Sequence, residues 1–147
     1  MGVNWRLRLL AGSVAILFGA CNDLGGEERV LSPVDKGTFI LYVSNQSYAL
    51  DPVDIRVYID GSLAVNQDFY VQGQHNWIKF EYDLATSNHR ILVVSSTGAT
   101  QLEKSFMLTA QCWCVIDFWY CPGVAEGEEP TPKSFEIQFF DEPVVFM

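Results

Sequence analysis

The sequence has few basic residues: Lys and Arg number 9 against 18 Asp and Glu, so that the formal net charge is −9 at pH 7. A surface of this charge repels phosphate backbones and anionic lipid headgroups, which argues against nucleic acid as a partner. Long apolar runs are also missing. The run at 9–18 covers only about ten residues, whereas a membrane-spanning helix needs ~20.

Catalytic motifs are missing as well. Ser, His and Asp all occur, but no nucleophile elbow and no metalloprotease motif is present. The adjacent carboxylates Glu128 and Glu129 fall in a predicted loop, where carboxylates are usually exposed to solvent and have no catalytic role. We therefore predict a protein that is not an enzyme and that has no catalytic residues, metal or cofactor. The alternative is an accessory domain of a hydrolase system, or a small enzyme with an unrecognised site.

The N-terminal segment has the pattern of an export signal. Arg6 and Arg8 precede the apolar run at 9–18, no acidic residue occurs before Cys21, and the small residues Gly19 and Ala20 stand before that cysteine. This order predicts a cleavable secretory signal over residues 1–20.

The residues Leu17-Phe18-Gly19-Ala20-Cys21 resemble the lipobox of bacterial lipoproteins, with Phe18 where Leu is usual. The resemblance implies that Cys21 carries diacylglycerol, of the palmitate type, and that cleavage precedes it. Two or three acyl chains anchor a protein stably. An ordinary signal peptide and an uncleaved anchor remain the alternatives.

The lipoprotein resemblance also implies a place in the cell. The protein would be membrane-attached through its lipid in the cell envelope, outside the cytoplasm. The outer membrane or the periplasmic face is favoured, because Asn22 follows Cys21 and Asp23 comes one place too late for the usual inner-membrane retention signal. Cleavage would remove two positive charges, Arg6 and Arg8, and would change the net charge from −9 to −11.

Residues 21–36 read as the lipidated cysteine and a flexible tether, because Gly25-Gly26, Glu27-Glu28 and Pro33 interrupt the few apolar residues. Residues 37–147 are then one domain. Their apolar and polar residues alternate with period two, as in strands with one buried and one wet face. Strands are predicted near 38–44, 53–60, 62–70, 76–84, 88–96, 101–109, 111–120 and 134–140.

Turn signals agree with an all-β fold. Asp60-Gly61 separates two alternating runs and favours a tight hairpin, since both residues tolerate positive φ. Residues 124–133 read as an exposed acidic loop. The regular strand spacing predicts a mainly antiparallel, immunoglobulin-like β-sandwich of seven or eight strands.

Part of the chain, about 53–109, resembles PEGA-type surface β modules. The resemblance is carried by Val57-Tyr58-Ile59-Asp60-Gly61, by the strand His89-Arg90-Ile91-Leu92-Val93-Val94, and by Gly98 before an alternating strand to Leu108. It implies an extracytoplasmic interaction module.

Three cysteines remain after Cys21: Cys112, Cys114 and Cys121. Cys112 and Cys114 share one face of a predicted strand. Cys121 would lie about 23 Å beyond Cys114 on a straight strand, whereas a disulfide needs Cα atoms within about 7 Å. Buried apolar thiols, a disulfide among the three, and a metal site are the alternatives.

The aromatic segment 113–120 places Trp113, Asp117 and Trp119 on one strand face, which we predict to be the wetter one. Flat rings beside a carboxylate suit sugars, because rings stack on their CH faces and the carboxylate accepts hydroxyl hydrogen bonds. Core packing is the alternative. We therefore predict a non-catalytic binding or envelope-structure module with an envelope protein or a glycan as its partner.

Overall fold

The computed structural model describes residues 35–71, 76–123 and 129–146. Alternating residues in these ranges form strands that stack as two four-stranded sheets, so the predicted all-β sandwich is confirmed. The strands are β1 (Lys36–Asn45), β2 (Val53–Ile59), β3 (Ser62–Phe69), β4 (Ile78–Ala85), β5 (Asn88–Ser95), β6 (Thr100–Met107), β7 (Gln111–Cys121) and β8 (Thr131–Phe140).

The first sheet has the order β4-β1-β7-β8 and the second has the order β3-β2-β5-β6. β1 and β7 run parallel, with Ser44 opposite Asp117, and the other paired strands are antiparallel. β1 and β7 are the two inner strands of the first sheet. Parallel neighbours need a long connection, so this pairing brings together residues that are far apart in the sequence.

The core lies between the sheets and is built from the inward residues of each alternating run. In β1 these are Phe39, Leu41 and Val43, all fully buried. β2 contributes alternating Val and Ile residues in the same way. The other buried apolar residues of this cluster are Val65, Phe69, Ile91, Val93, Phe106, Leu108, Cys112, Cys114, Ile116, Phe118, Phe135 and Ile137.

Polar contacts join the two sheets at both sides of the sandwich. The Tyr82 hydroxyl on β4 donates to the Ala64 carbonyl on β3 at 2.9 Å. On the opposite side, the Lys104 ammonium on β6 donates to the Ile137 carbonyl on β8 at 2.7 Å. These contacts join the edge strands of one sheet to those of the other. They therefore help to align the two sheets, which the non-directional packing of the core does not do by itself.

Two sequence predictions, for the loop before the last strand and for the N-terminal segment, can be compared with the described residues. The acidic loop predicted for 124–133 is wrong at its end, because β8 begins at Thr131. Thr131 is exposed and pairs with Cys121 of β7, and the register of the β7–β8 pairing shifts between Trp119 and Cys121. The predicted signal peptide over 1–20, the lipidated Cys21 and the tether up to residue 34 lie outside the described residues. Among the residues that are described, no helix has the length and apolarity to cross a membrane.

Candidate functional site

The three residues predicted to bind a ligand lie on the outer face of the first sheet, which is the face turned away from the second sheet. Strand β7 places them there by alternation, but their environments differ. Trp113 is 8% exposed and Asp117 is 9% exposed, whereas Trp119 is 40% exposed. The prediction that this face is the wetter one is therefore wrong for Trp113 and Asp117, since further chain packs on it. Trp119 alone of the three presents a ring to solvent.

Asp117 is the centre of a hydrogen-bonded group beneath the surface. Its Oδ1 accepts hydrogen bonds from the Ser44 hydroxyl at 2.6 Å and from Trp77 Nε1 at 2.8 Å. Burial raises the pKa of Asp117, the bonds from Ser44 and Trp77 lower it, and the neighbouring Glu136 raises it, with a net increase above the usual value. Asp117 therefore fixes the position of an indole and a hydroxyl.

The C-terminal segment 143–146 covers this part of the outer face. The Phe146 ring stacks on the Trp77 indole with centroids 4.0 Å apart and planes at 17°. It also meets the edge of the Tyr42 ring at 4.9 Å and 74°. The order from inside to outside is thus Asp117, then Trp77, then Phe146.

An open cleft lies beside this covered region, where β1 and β7 end. Its volume is about 400 Å³. Two exposed rings, Trp119 and the 68% exposed Tyr48, belong to its walls. The remaining lining residues are Gln46, Ala49, Tyr120, Cys121, Pro122 and Thr131. Its lining combines aromatic and apolar side chains with a few amide and hydroxyl groups, which is the general composition of small-molecule pockets.

The loop that carries Tyr48 is held in place by buried polar residues. Asn45 donates from Nδ2 to the Leu50 carbonyl at 2.8 Å and to the Phe69 carbonyl at 3.2 Å, and its Oδ1 accepts the Ser47 amide at 2.9 Å. The Ser47 hydroxyl donates to the Tyr120 carbonyl at 2.7 Å. The loop is therefore tied to the end of β7, which also lines the cleft.

A chain of hydrogen bonds connects the cleft with the covered region. Gln46, which lines the cleft, donates from Nε2 to the Ser44 hydroxyl at 2.8 Å, and Ser44 in turn donates to Asp117. Asp117 also accepts the Trp77 bond described above. The open cleft and the tail-covered region are thus two parts of one polar and aromatic surface.

The cysteines form no disulfide within the described part of the chain. Cys112 and Cys114 are buried on the core face of β7, while Cys121 lies in the cleft wall. Burial raises the pKa values of the Cys112 and Cys114 thiols, so both stay protonated at neutral pH. Their packing among the apolar residues of the core favours the apolar role. No group of three or more His, Cys, Asp or Glu side chains among the described residues is placed to hold a metal ion.

Several residues of this surface were not predicted as site residues, among them Gln46, Tyr48, Trp77 and Phe146. Trp77 directly precedes β4, and alternation already places it on the same side as Lys79 and Glu81. Tyr48 sits in a loop, where periodicity carries no information. Neither the parallel β1–β7 pairing nor the position of Phe146 has a local sequence signal, so their meeting near Asp117 was not predictable.

A comparison of the chain with models of known protein families finds no match, and a comparison with curated protein sequences finds none either. The resemblances to bacterial lipoproteins and to PEGA-type modules therefore stay predictions from the residues that carry them.

Proposed function

We propose that this chain is a lipid-anchored, extracytoplasmic and non-catalytic binding module of the cell envelope, built on an immunoglobulin-like sandwich. Its ligand-binding site is the cleft between Trp119 and Tyr48. The observation that carries the proposal is a pair of exposed rings at an open cleft of about 400 Å³: Trp119 stands on β7, and Tyr48 stands on a loop that buried Asn45 and Ser47 fix. Large rings are normally buried in the core, so two accessible ones on a fixed scaffold favour a binding role.

The chemistry of the cleft favours a neutral oligosaccharide. Indole and phenol rings stack on the apolar CH faces of sugars, and Gln46 and Thr131 supply groups that bond to hydroxyls. The net charge of −9 disfavours an acidic polysaccharide. The described residues that line the cleft include no carboxylate and no histidine, which are the usual acids and bases of sugar hydrolysis.

The alternative, a small enzyme or a hydrolase accessory domain, has one observation in its favour. Asp117 lies directly opposite Glu136 in the β7–β8 pairing, and its pKa is raised. Paired carboxyl groups about 5 Å apart are a feature of retaining glycosidases. Asp117 is almost fully buried, however, and already accepts two hydrogen bonds, so a role in positioning Trp77 and Ser44 fits it better.

Titration of the purified protein with cellohexaose and with chitohexaose, followed by tryptophan fluorescence, tests the proposal. We expect binding of at least one of these, and we expect Trp119→Ala to weaken it about tenfold or more, since stacking and buried ring area together contribute more than ~1.4 kcal/mol. The melting temperature should change little because Trp119 is partly exposed.

Tyr70→Ala is the matched control, since Tyr70 is an exposed ring outside the cleft. It should leave binding unchanged. Equal affinity of wild type and Trp119→Ala, or no binding of either sugar, would contradict the glycan assignment. Release of free sugar that Asp117→Asn abolishes would favour the enzyme instead.

A further inference from the structure

The C-terminal segment 143–146 is attached to the first sheet by its side chains. Val144 and Phe146 are partly buried, whereas Val145 between them is 81% exposed, so alternate residues face the sheet. No backbone hydrogen bond outside the strands joins 141–146 to another described residue. The segment thus lies on the sheet like an extended strand without adding a ladder of main-chain hydrogen bonds.

The slot that receives Phe146 is formed by groups that other contacts hold in place. The Trp77 indole is oriented by its 2.8 Å bond to Asp117, and Asp117 is itself bonded to Ser44 on β1. Tyr42, the second wall, lies on β1 between β4 and β7. Removal of the Phe146 ring would leave a flat aromatic wall backed by a buried carboxyl group.

We propose that this slot is a peptide-binding site that the chain's own C-terminal segment fills, and that the same segment of a second copy is its exchange partner. A tail that leaves its own slot and enters the slot of a neighbour makes the same ring contacts, so exchange costs little apart from association. The exposed residues Asp141, Glu142 and Pro143 form the connection that would have to reorient.

The protein concentration decides whether the tail occupies its own slot or the slot of a second copy. Within one chain, a short connection presents the tail to its own slot at an effective concentration in the millimolar range. Exchange is therefore expected only when the protein itself is concentrated, or when the internal plug is removed. A variant without the plug and a variant without the slot separate these two roles.

The test uses two full-length variants. Phe146→Ala keeps the slot and lacks the plug, while Trp77→Ala keeps the plug and lacks the slot. We expect each alone to sediment as a monomer and an equimolar mixture to form a heterodimer. The matched control is a mixture of Phe146→Ala with the double variant Trp77→Ala/Phe146→Ala, which should stay monomeric.

A second measurement uses a labelled peptide with the sequence of residues 141–147, Asp-Glu-Pro-Val-Val-Phe-Met. It should bind Phe146→Ala at least tenfold more tightly than it binds wild type, and replacement of its Phe by Ala should abolish binding. Binding of both peptides alike, or of neither, would overturn the proposal. A Phe146→Ala protein that does not fold would also overturn it, because the segment would then be part of the core.

The test does not use the Trp119–Tyr48 cleft, so loss of sugar binding and loss of tail exchange are separate outcomes.

Discussion

His89 is buried between two groups that accept hydrogen bonds. Its Nε2 lies 2.7 Å from the Ala85 carbonyl, which can only accept, so Nε2 carries a proton. Its Nδ1 lies 2.6 Å from Oδ2 of Asp60, whose Oδ1 accepts the Arg90 amide at 2.9 Å. A carboxylate also only accepts, so the geometry favours a proton on Nδ1 as well and thus the cationic form of His89.

The pKa shifts agree with this geometry. Burial lowers the pKa of His89. The hydrogen bonds to Ala85 and Asp60, together with the charge of Asp60, raise the pKa by more than burial lowers it, so the net change is an increase. Burial raises the pKa of Asp60, and its bonds from Arg90 and His89 lower it by more. Each group thus favours the charged form of the other.

This pair makes stability depend on pH in a defined window. His89 has a raised pKa, so its contribution is complete below its unfolded value of about 6.5 and is lost as the pH rises through the folded value. Asp60 has a lowered pKa, so its contribution is present above about 3.9 and is lost as the pH falls through the folded value. The pair therefore stabilises most between these two values.

The measurement is the melting temperature as a function of pH, with an NMR titration of His89. Asp60→Asn is the informative change, because Asn keeps the left-handed backbone that residue 60 adopts at φ 50°. We expect it to lower the pKa of His89 and to reduce the loss of stability above neutral pH. An unchanged titration of His89 would show that Asp60 does not hold its proton.

At the level of single elements, alternation was enough to predict each strand to within a few residues. The Asp60–Gly61 hairpin is confirmed, since both residues have positive φ, 50° and 80°. The limits of the method show in β7, where Trp113 and Val115 are buried on the outer face as well as Cys114 on the inner one. Alternation tells which residues share a face, but not whether another segment covers that face.

Asp54 at the start of β2 fixes the turn between β5 and β6. Its Oδ1 accepts the Ser95 hydroxyl at 3.0 Å and the Thr97 amide at 2.7 Å, and its Oδ2 accepts the Ser96 amide at 3.0 Å. Burial raises the pKa of Asp54 and the hydrogen bonds lower it more strongly, with a net decrease, so the carboxyl group is ionised at neutral pH.

Asp54→Ala should therefore destabilise the domain by about 1–3 kcal/mol, because turn amides lose a charged acceptor. Urea unfolding measures this as a lower midpoint with an unchanged slope. Asp83→Ala is the control, since Asp83 is exposed on the edge strand β4, and its effect should stay within about 0.5 kcal/mol. Equal effects of the two changes would mean that the turn does not need its acceptor.

At the scale of the whole molecule, the candidate binding features lie apart from the sandwich core. The first sheet carries the cleft and the tail-covered slot on its outer face, while the sandwich core lies entirely between the sheets. The proposed ligand binding and the folding of the domain should thus depend on different residues, so Trp119→Ala should affect binding and Phe39→Ala should affect stability. The anchor proposed at Cys21 would present this face outside the cytoplasm.

Attachment to the membrane should depend on Cys21 alone. Acyl chains are the expected cause of binding, because the mature charge of −11 opposes electrostatic docking on anionic lipid. We expect the wild type to partition into the detergent phase and its intact mass to show loss of residues 1–20 with a gain in acyl groups. Cys21→Ala should leave an uncleaved precursor or move the domain to the aqueous phase, whereas Cys121→Ala should not. A mature protein that begins at Met1, or a Cys21 thiol that reacts with alkylating reagents, would contradict lipidation, whatever the cleft and the slot bind.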